Sequence, residues 1–403
     1  MSDGSSSFEL FSLRRLARIV NGGTPPSSDA SSWGGDIPFV TPPDLNGLDG
    51  QPIRSTARTI TADGLAHTGV APAGSVVVST RAPIGHVGRA STRIAFNQGC
   101  KALLPEPGMN SRFLAYSVIS ARVEMEANGL GTTFLELSST SLGEMRLPSP
   151  ELSTQKSIAD YLDRETAQID AFIAKNEELI ALLTERRVAA INREFQNQPS
   201  NARIDHACES VVDCPHTTPP FDEDGEFEAV RTASVRDGKF RPNQGIRVNR
   251  RTWLDRNVSR GPRIGDILFT REAPAGEACM VPSTQICLGQ RMVLLRIDPS
   301  KAHGDFVLWQ LYSHKVATHF ARAANGSTVT NIRLPLLRAT PIWLPSLDTQ
   351  SNVLQRLKAV GDKTDAAIAT AHSAIELAKE RRAALISAAV TGKIDVSKEA
   401  VSV

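Results

Sequence analysis

The chain has 403 residues, of which 41% are apolar and 22% charged, and a net charge of +2. That length exceeds one typical core and asks for at least two domains. Near-neutrality excludes a nucleic-acid field spread over the whole surface, so any such surface must be local. No apolar run reaches the ~20 residues of a membrane span. The polar opening Met1–Ser7 is unlike a secretory signal and reads as a loose tail. Five unevenly spaced cysteines suit a reducing compartment, so a cytoplasmic protein is expected.

Residues 1–150 form the first segment. Gly and Pro punctuate it at Gly22-Gly23-Thr24-Pro25-Pro26, Thr41-Pro42-Pro43-Asp44 and Ala71-Pro72-Ala73-Gly74. Short β-branched runs such as Val76-Val77-Val78 lie between them, and a helix is predicted near Ser111–Glu126. The segment reads as a mixed α+β domain. Residues 151–198 read as one long helix that ends at a polar linker with a proline stop. It carries nine acidic and six basic side chains, which suits a spacer or a protein-docking surface better than a groove reader.

Residues 199–345 repeat the first segment. Gly74–Gly85 aligns with Gly265–Gly276, including the Ala-Pro pairs at Pro83 and Pro274. Asn97-Gln98-Gly99 resembles Gly289-Gln290-Arg291, and Gly131-Thr132-Thr133 matches Gly326-Ser327-Thr328. Thr41-Pro42-Pro43 is paired with Thr218-Pro219-Pro220. Residues 346–403 hold a second long helix and a short tail. With an offset of 195, Gln155 falls on Gln350, Asp170 on Asp365 and Glu185-Arg186-Arg187 on Glu380-Arg381-Arg382.

Both helices carry a narrow seam stepping by three or four residues. It runs through Ile158, Leu162, Ile169, Ile173, Ile180 and Arg187 in one copy and Val353, Leu357, Thr364, Ile368, Ile375 and Arg382 in the other. A seam this narrow needs a partner helix. Asn176 lies on it and is a candidate for fixing register. The fold expected is α+β: two similar mixed domains separated by two long helices that pair as an antiparallel coiled coil with pseudo-two-fold symmetry. Such a rod, at 1.5 Å per residue, could hold two surfaces about 60 Å apart.

Charge is local. From Arg236 to Arg263 nine basic residues face two acidic ones, and from Arg54 to Lys101 six face one. Both windows fall at equivalent places in the repeat, where phosphate contacts would concentrate. Arg and Gln present bidentate edges to bases. The candidates are therefore Arg81, Gln98, Arg271 and Gln290, with Arg247, Arg250 and Arg251 added for phosphate positioning.

Leu147-Pro148-Ser149 through Gln155, the two Glu-Arg-Arg runs and the closing Val390-Thr391-Gly392-Lys393-Ile394-Asp395 resemble the specificity subunit of type I restriction–modification systems. The resemblance covers nearly the whole chain. It implies that residues 1–150 and 199–345 are target-recognition domains, each reading half of a split double-stranded DNA site. It implies that the helices set the spacer and dock two methyltransferase subunits, joined by endonuclease/translocase subunits for cleavage. Gly361 departs from a uniform second helix and puts its straightness in question.

A catalytic site is not legible. There is no P-loop, and Thr218-Pro219-Pro220-Phe221 lacks the amide or carboxylate of an amino-methyltransferase turn. The Thr-Pro-Pro runs read as rigid turns. His206, Cys208, Cys214 and His216 do not have zinc spacing. Asp44 and Asp266 lack a visible partner. No cofactor is expected in this chain; S-adenosylmethionine, ATP and magnesium would belong to its partners. Two readings of other classes stand beside this one. A coiled-coil scaffold with two protein-binding modules would have no DNA affinity, and a self-contained methyltransferase would bind methyl donor alone.

Overall fold

A computed structural model describes residues 8–129, 136–258, 261–323 and 331–396. The chain separates into two compact units, Met1–Asn176 with Ser373–Val403 and Glu177–His372. The match between Gly131–Thr133 and Gly326–Thr328 lies outside the described residues, as does Arg260.

In the first unit one sheet has the order β1-β9-β6-β7-β3. These strands are β1 (Ala17–Asn21), β3 (Pro52–Ile53), β6 (Val76–Ser79), β7 (Val87–Ala90) and β9 (Cys100–Pro105). A second sheet has the order β4-β2-β8-β5, from β2 (Trp33–Val40), β4 (Arg58–Ile60), β5 (Gly69–Ala71) and β8 (Ile94–Phe96). Val76 and Val78 pack on Leu114 and Val118 of helix α1 (Ser111–Ser120), while Val77 packs on Ile94 and Phe96. A strand buried on both faces needs an unbroken apolar run, which is what Val76-Val77-Val78 supplies.

The second unit builds a reduced version of this arrangement, with one strand fewer in each sheet among the described residues. Its sheets are β10-β16-β13-β14 and β12-β11-β15. The strands are β10 (Cys208–Asp213), β11 (Phe227–Val230), β12 (Ile246–Val248), β13 (Ile267–Thr270), β14 (Ala278–Met280), β15 (Ile286–Leu288) and β16 (Met292–Ile297). Cys100 pairs with Ser79 as Met292 pairs with Thr270. Ser79 Oγ and Thr270 Oγ1 each accept from a backbone N–H, of His86 and Glu277, and each donates to a proline carbonyl, of Pro83 and Pro274. The duplication therefore extends to the wiring of a turn.

One pairing of motifs is corrected. Lys101 lies opposite Asn21 and Val293 opposite Asp213, so Asn21 matches Asp213. The Thr-Pro-Pro that follows each then matches the other, Thr24-Pro25-Pro26 with Thr218-Pro219-Pro220. Thr41-Pro42-Pro43-Asp44 instead matches Arg231-Thr232-Ala233-Ser234. Asp44 Oδ2 accepts from Thr41 N at 2.8 Å and Ser234 Oγ from Arg231 N at 3.3 Å, capping the same short turn with different atoms. An identical tripeptide masked that equivalence.

Helices α2 (Leu152–Phe195) and α4 (Leu347–Val390) each run 44 residues, the second without a break at Gly361. Each is pinned at its start by a buried glutamine. Gln155 Oε1 accepts from Asn110 N, and its amide donates to Gly108 O and Pro150 O. Gln350 Oε1 accepts from His303 N, and its amide donates to Lys301 O and Pro345 O. At 1% and 0% exposure, neither could be replaced without orphaning three backbone groups.

The seam is as the spacing predicts, and the pairing is antiparallel. In the first unit Ile158 and Leu162 pack with Ile386, Ala389 and Val390, and Asp170 meets Arg382 at 3.0 Å. In the second Arg187 meets Asp365 at 3.1 Å, and Ile191 and Phe195 pack with Val353 and Leu357. Numbers rise along one helix as they fall along the other. Asn176 does not set register between helices: its amide donates to Phe172 O of its own helix at 2.9 Å.

The repeated Asp and Arg thus find each other with the helices exchanged. Reversing one charge, as in Arg382→Asp, is expected to lower unfolding stability, and adding Asp170→Arg to restore about 1–2 kcal/mol of it in a denaturant double-mutant cycle. A cycle that sums to zero would show the pair to be incidental. A Cβ at Gly361 would meet nothing within 4 Å, so Gly361→Ala is expected to raise stability by about 0.5–1 kcal/mol by the same measurement.

Candidate nucleic-acid interface

Most cations in the two basic windows are committed to structure. Arg58 lies 3.4 Å over the Trp33 ring, Arg81 pairs with Glu136 at 2.9 Å, and Arg89 donates to Gly50 O. Burial lowers the pKa of Arg89 and of Lys101, which donates to Asn21 Oδ1. In the second window Arg236, Lys239, Arg241 and Arg263 pair with Glu277, Asp365, Asp237 and Glu209. Arg256 donates to the carbonyls of Leu288 and Thr217.

Subtracting these leaves, among the described residues, Arg54 and Arg93 in the first unit and Arg247, Arg250 and Arg251 in the second. All five are exposed and have no carboxylate within ion-pair distance. Each set includes a cation beside the smaller sheet. Arg54 follows β3, the edge strand of the larger sheet, while Arg93 precedes β8 of the smaller one, with Ser91 Oγ donating to Ile53 O between them. Arg247 lies on β12, the counterpart of β4, opposite Glu228. Arg250 and Arg251 open helix α3 (Arg250–Asn257), where Asn249 Oδ1 caps Thr252 N at 3.0 Å. An unpaired exposed guanidinium pays no partner to meet a phosphate, so these groups would govern backbone contact.

The remaining sequence candidates differ in setting. Arg271 donates twice to Asp213, at 2.9 and 3.1 Å, and is half-buried. Arg81 and Arg271 are one step out of register: the N–H groups of Thr80 and Arg271 both donate across to the chain, to Gly99 O and Arg291 O, so Arg271 matches Thr80 and Arg81 matches Glu272. Gln98 and Gln290 do match. Gln98 Oε1 accepts from Thr24 Oγ1 at 2.5 Å, and Gln290 Nε2 donates to His216 O at 3.1 Å, so each ties its loop to the Thr-Pro-Pro segment. Arg54 and Arg93 were inside a basic window, yet only the absence of partners singles them out.

The polar groups weighed for chemistry have structural work. Asp44 caps its turn and also accepts from Ala57 N at 2.9 Å. Asp266 lies against Arg296 Nε at 3.4 Å and accepts from Arg263 N. Burial still raises its pKa, because a charge loses more by leaving water than this long contact returns. Cys208 opens β10 and Cys214 follows its last residue, about 20 Å apart at strand rise, too far to share an ion. All five thiols are free and buried, and burial raises Cys287 to about 11 and Cys208 to about 12. No helix among the described residues is long and apolar enough to cross a membrane.

Comparison with known proteins bears on what these surfaces meet. A family model described as type I restriction modification DNA specificity domain matches residues 5–181. The MjaIX type I restriction enzyme specificity subunit of Methanocaldococcus jannaschii is 30% identical over 154 residues, 37% of this chain and 36% of that subunit. The EcoBI specificity subunit of Escherichia coli is 24% identical over 289 residues, 64% of this chain and 60% of that one. The matched stretches thus span about a third to three-fifths of these relatives. A solved structure described as "Structural basis underlying complex assembly and conformational transition of the type I R-M system" has a TM-score of 0.64 at 15% identity. It covers 96% of this chain and 98% of that one, which shows a shared fold.

Proposed function

We propose that the chain belongs to the type I restriction–modification DNA specificity family, that it selects the DNA site of such a complex and that it carries out no chemistry itself. Residues 1–150 and 199–345 act as target-recognition domains, each reading one half of a bipartite duplex site. The paired helices fix the gap between the halves and dock two methyltransferase subunits, which endonuclease/translocase subunits join. Methyl donor, ATP and magnesium act in those partners. The setting is the cytoplasm, where the complex meets DNA.

The observation that carries this reading is that each copy of the duplicated domain keeps exposed cations without carboxylate partners, Arg54 and Arg93 in the first and Arg247, Arg250 and Arg251 in the second. A phosphate surface is bound through charge that has no internal partner, and each copy of the fold retains such a surplus at its own positions. A scaffold of two protein-binding modules gives no reason for that coincidence.

Fluorescence anisotropy of the full chain on duplex DNA from 50 to 200 mM salt tests it. Affinity should fall steeply with salt. Each phosphate contact contributes about 0.9 to the slope of log K against log salt, so Arg247→Gln and Arg250→Gln together should reduce that slope by about 1.8. An unchanged slope, or no affinity for duplex at any salt, would favour the scaffold.

A further inference from the structure

The two domains differ at one edge of the smaller sheet. In the first unit the outer edge of β8 is closed by β5, with Gly69 opposite Phe96 and Ala71 opposite Ile94. In the second unit the matching edge of β15 has no strand among the described residues. Helix α3 closes it with side chains: Trp253 Nε1 donates to Ile286 O at 3.1 Å, Asn257 Nδ2 to Ile286 O at 3.1 Å and Arg256 Nη1 to Leu288 O at 2.9 Å. Trp253 also stacks on Phe227 of β11, with ring centroids 4.7 Å apart.

This inverts the usual economy of a surface helix. Trp253, Arg256 and Asn257 form the inward face, and no residue of α3 is buried. The opposite face carries Arg251, Leu254 and Asp255, with Arg250 at its margin and Val258 just past its end. Leu254 is 48% and Val258 82% exposed. Arg251 and Asp255 stand at the i,i+4 spacing but form no ion pair among the described residues.

We infer that α3 is the base-reading element of the second domain and enters the major groove of DNA, whereas the first domain, closed by a strand at the same edge, reads its half-site by a different device. The inference rests on the DNA-binding reading above. A helix with its side chains is about 10–12 Å across, which a major groove about 12 Å wide admits. The outward face offers a bidentate donor for guanine in Arg251, an acceptor for the cytosine amino group in Asp255 and an apolar contact for a thymine methyl in Leu254. The exposed carboxylate decides against a phosphate clamp, which gains nothing from a negative charge beside its arginines. Charge complementarity selects DNA as the occupant: Arg247, Arg250 and Arg251 surround the face without internal partners.

The test is selection of bound duplexes from a random pool by the full chain with its methyltransferase subunits, repeated with Leu254→Ala, Asp255→Asn and Arg251→Lys. These side chains touch no core, so an unchanged melting temperature is expected to accompany each. The wild type should yield two specified blocks. Each variant should relax the preference at one or two positions of one block by about tenfold or more, leaving the other block intact. If both blocks survive unchanged while affinity alone falls, α3 holds phosphate and the inference is overturned. A wild type that selects no sequence would overturn it together with the specificity reading, and is told apart by that control.

Discussion

The structure depends on a pair of residues used twice. Asp170 meets Arg382, and Asp365 meets Arg187. Each partner is the other's counterpart in the repeat, so one interaction serves both units with the helices exchanged. Only an antiparallel pairing permits this: in a parallel one, Asp170 would face Asp365. Like charges would then oppose along the seam, and the repeat would work against the fold. The pairs are partly exposed, with Arg382 the more buried partner, so their effect is on register and direction more than on total stability.

Around this pairing each unit repeats the same logic of attachment. A glutamine at the second turn of each long helix is swallowed by the domain before it and satisfies three backbone groups there. The aromatic residues Phe113 and Tyr116 in one unit, and Phe306 and Trp309 in the other, pack on the helix pair. Tyr116 adds a hydrogen bond to Asp163 at 2.7 Å, and Arg112 bridges Asp160 and Asp163. The angle at which a domain leaves its helices is therefore fixed by buried polar contacts as well as by apolar area. That is a reasonable device for a protein proposed to present two reading surfaces, because a glutamine satisfied on three sides tolerates no alternative seating.

Much of this was legible in the sequence because the gene product is repeated. Gln155 and Gln350, Asp170 and Asp365, and Arg187 and Arg382 could be aligned by offset alone, and the helical seam followed from spacing. The interface was less legible. Basic windows are visible as composition, but whether a cation is free depends on a carboxylate distant in sequence: Arg81 on Glu136, Lys239 on Asp365, Arg271 on Asp213. Subtracting partners needs coordinates. The Thr-Pro-Pro error has the same origin, since three identical residues outweighed a strand register that sequence does not show. Helix α3 was hidden for a third reason. Its inward face sets Arg256 and Asn257 beside Trp253 and its outward face is partly apolar, so no apolar stripe marks the helix.

The claim on which the rest hangs is that the two long helices run in opposite directions with this register, and pulsed electron paramagnetic resonance on the full chain tests it most directly. Gln168 and Arg381 line one groove of the first unit, and Thr184 and His372 one cleft of the second. Paired helix axes lie about 8–10 Å apart, so spin labels on either pair should report a short distance, about 1.5–2.5 nm once label linkers are added. A parallel pairing would put Gln168 opposite Lys363, about 27 Å along the helix from Arg381. A distance beyond about 3 nm for either pair would contradict the account.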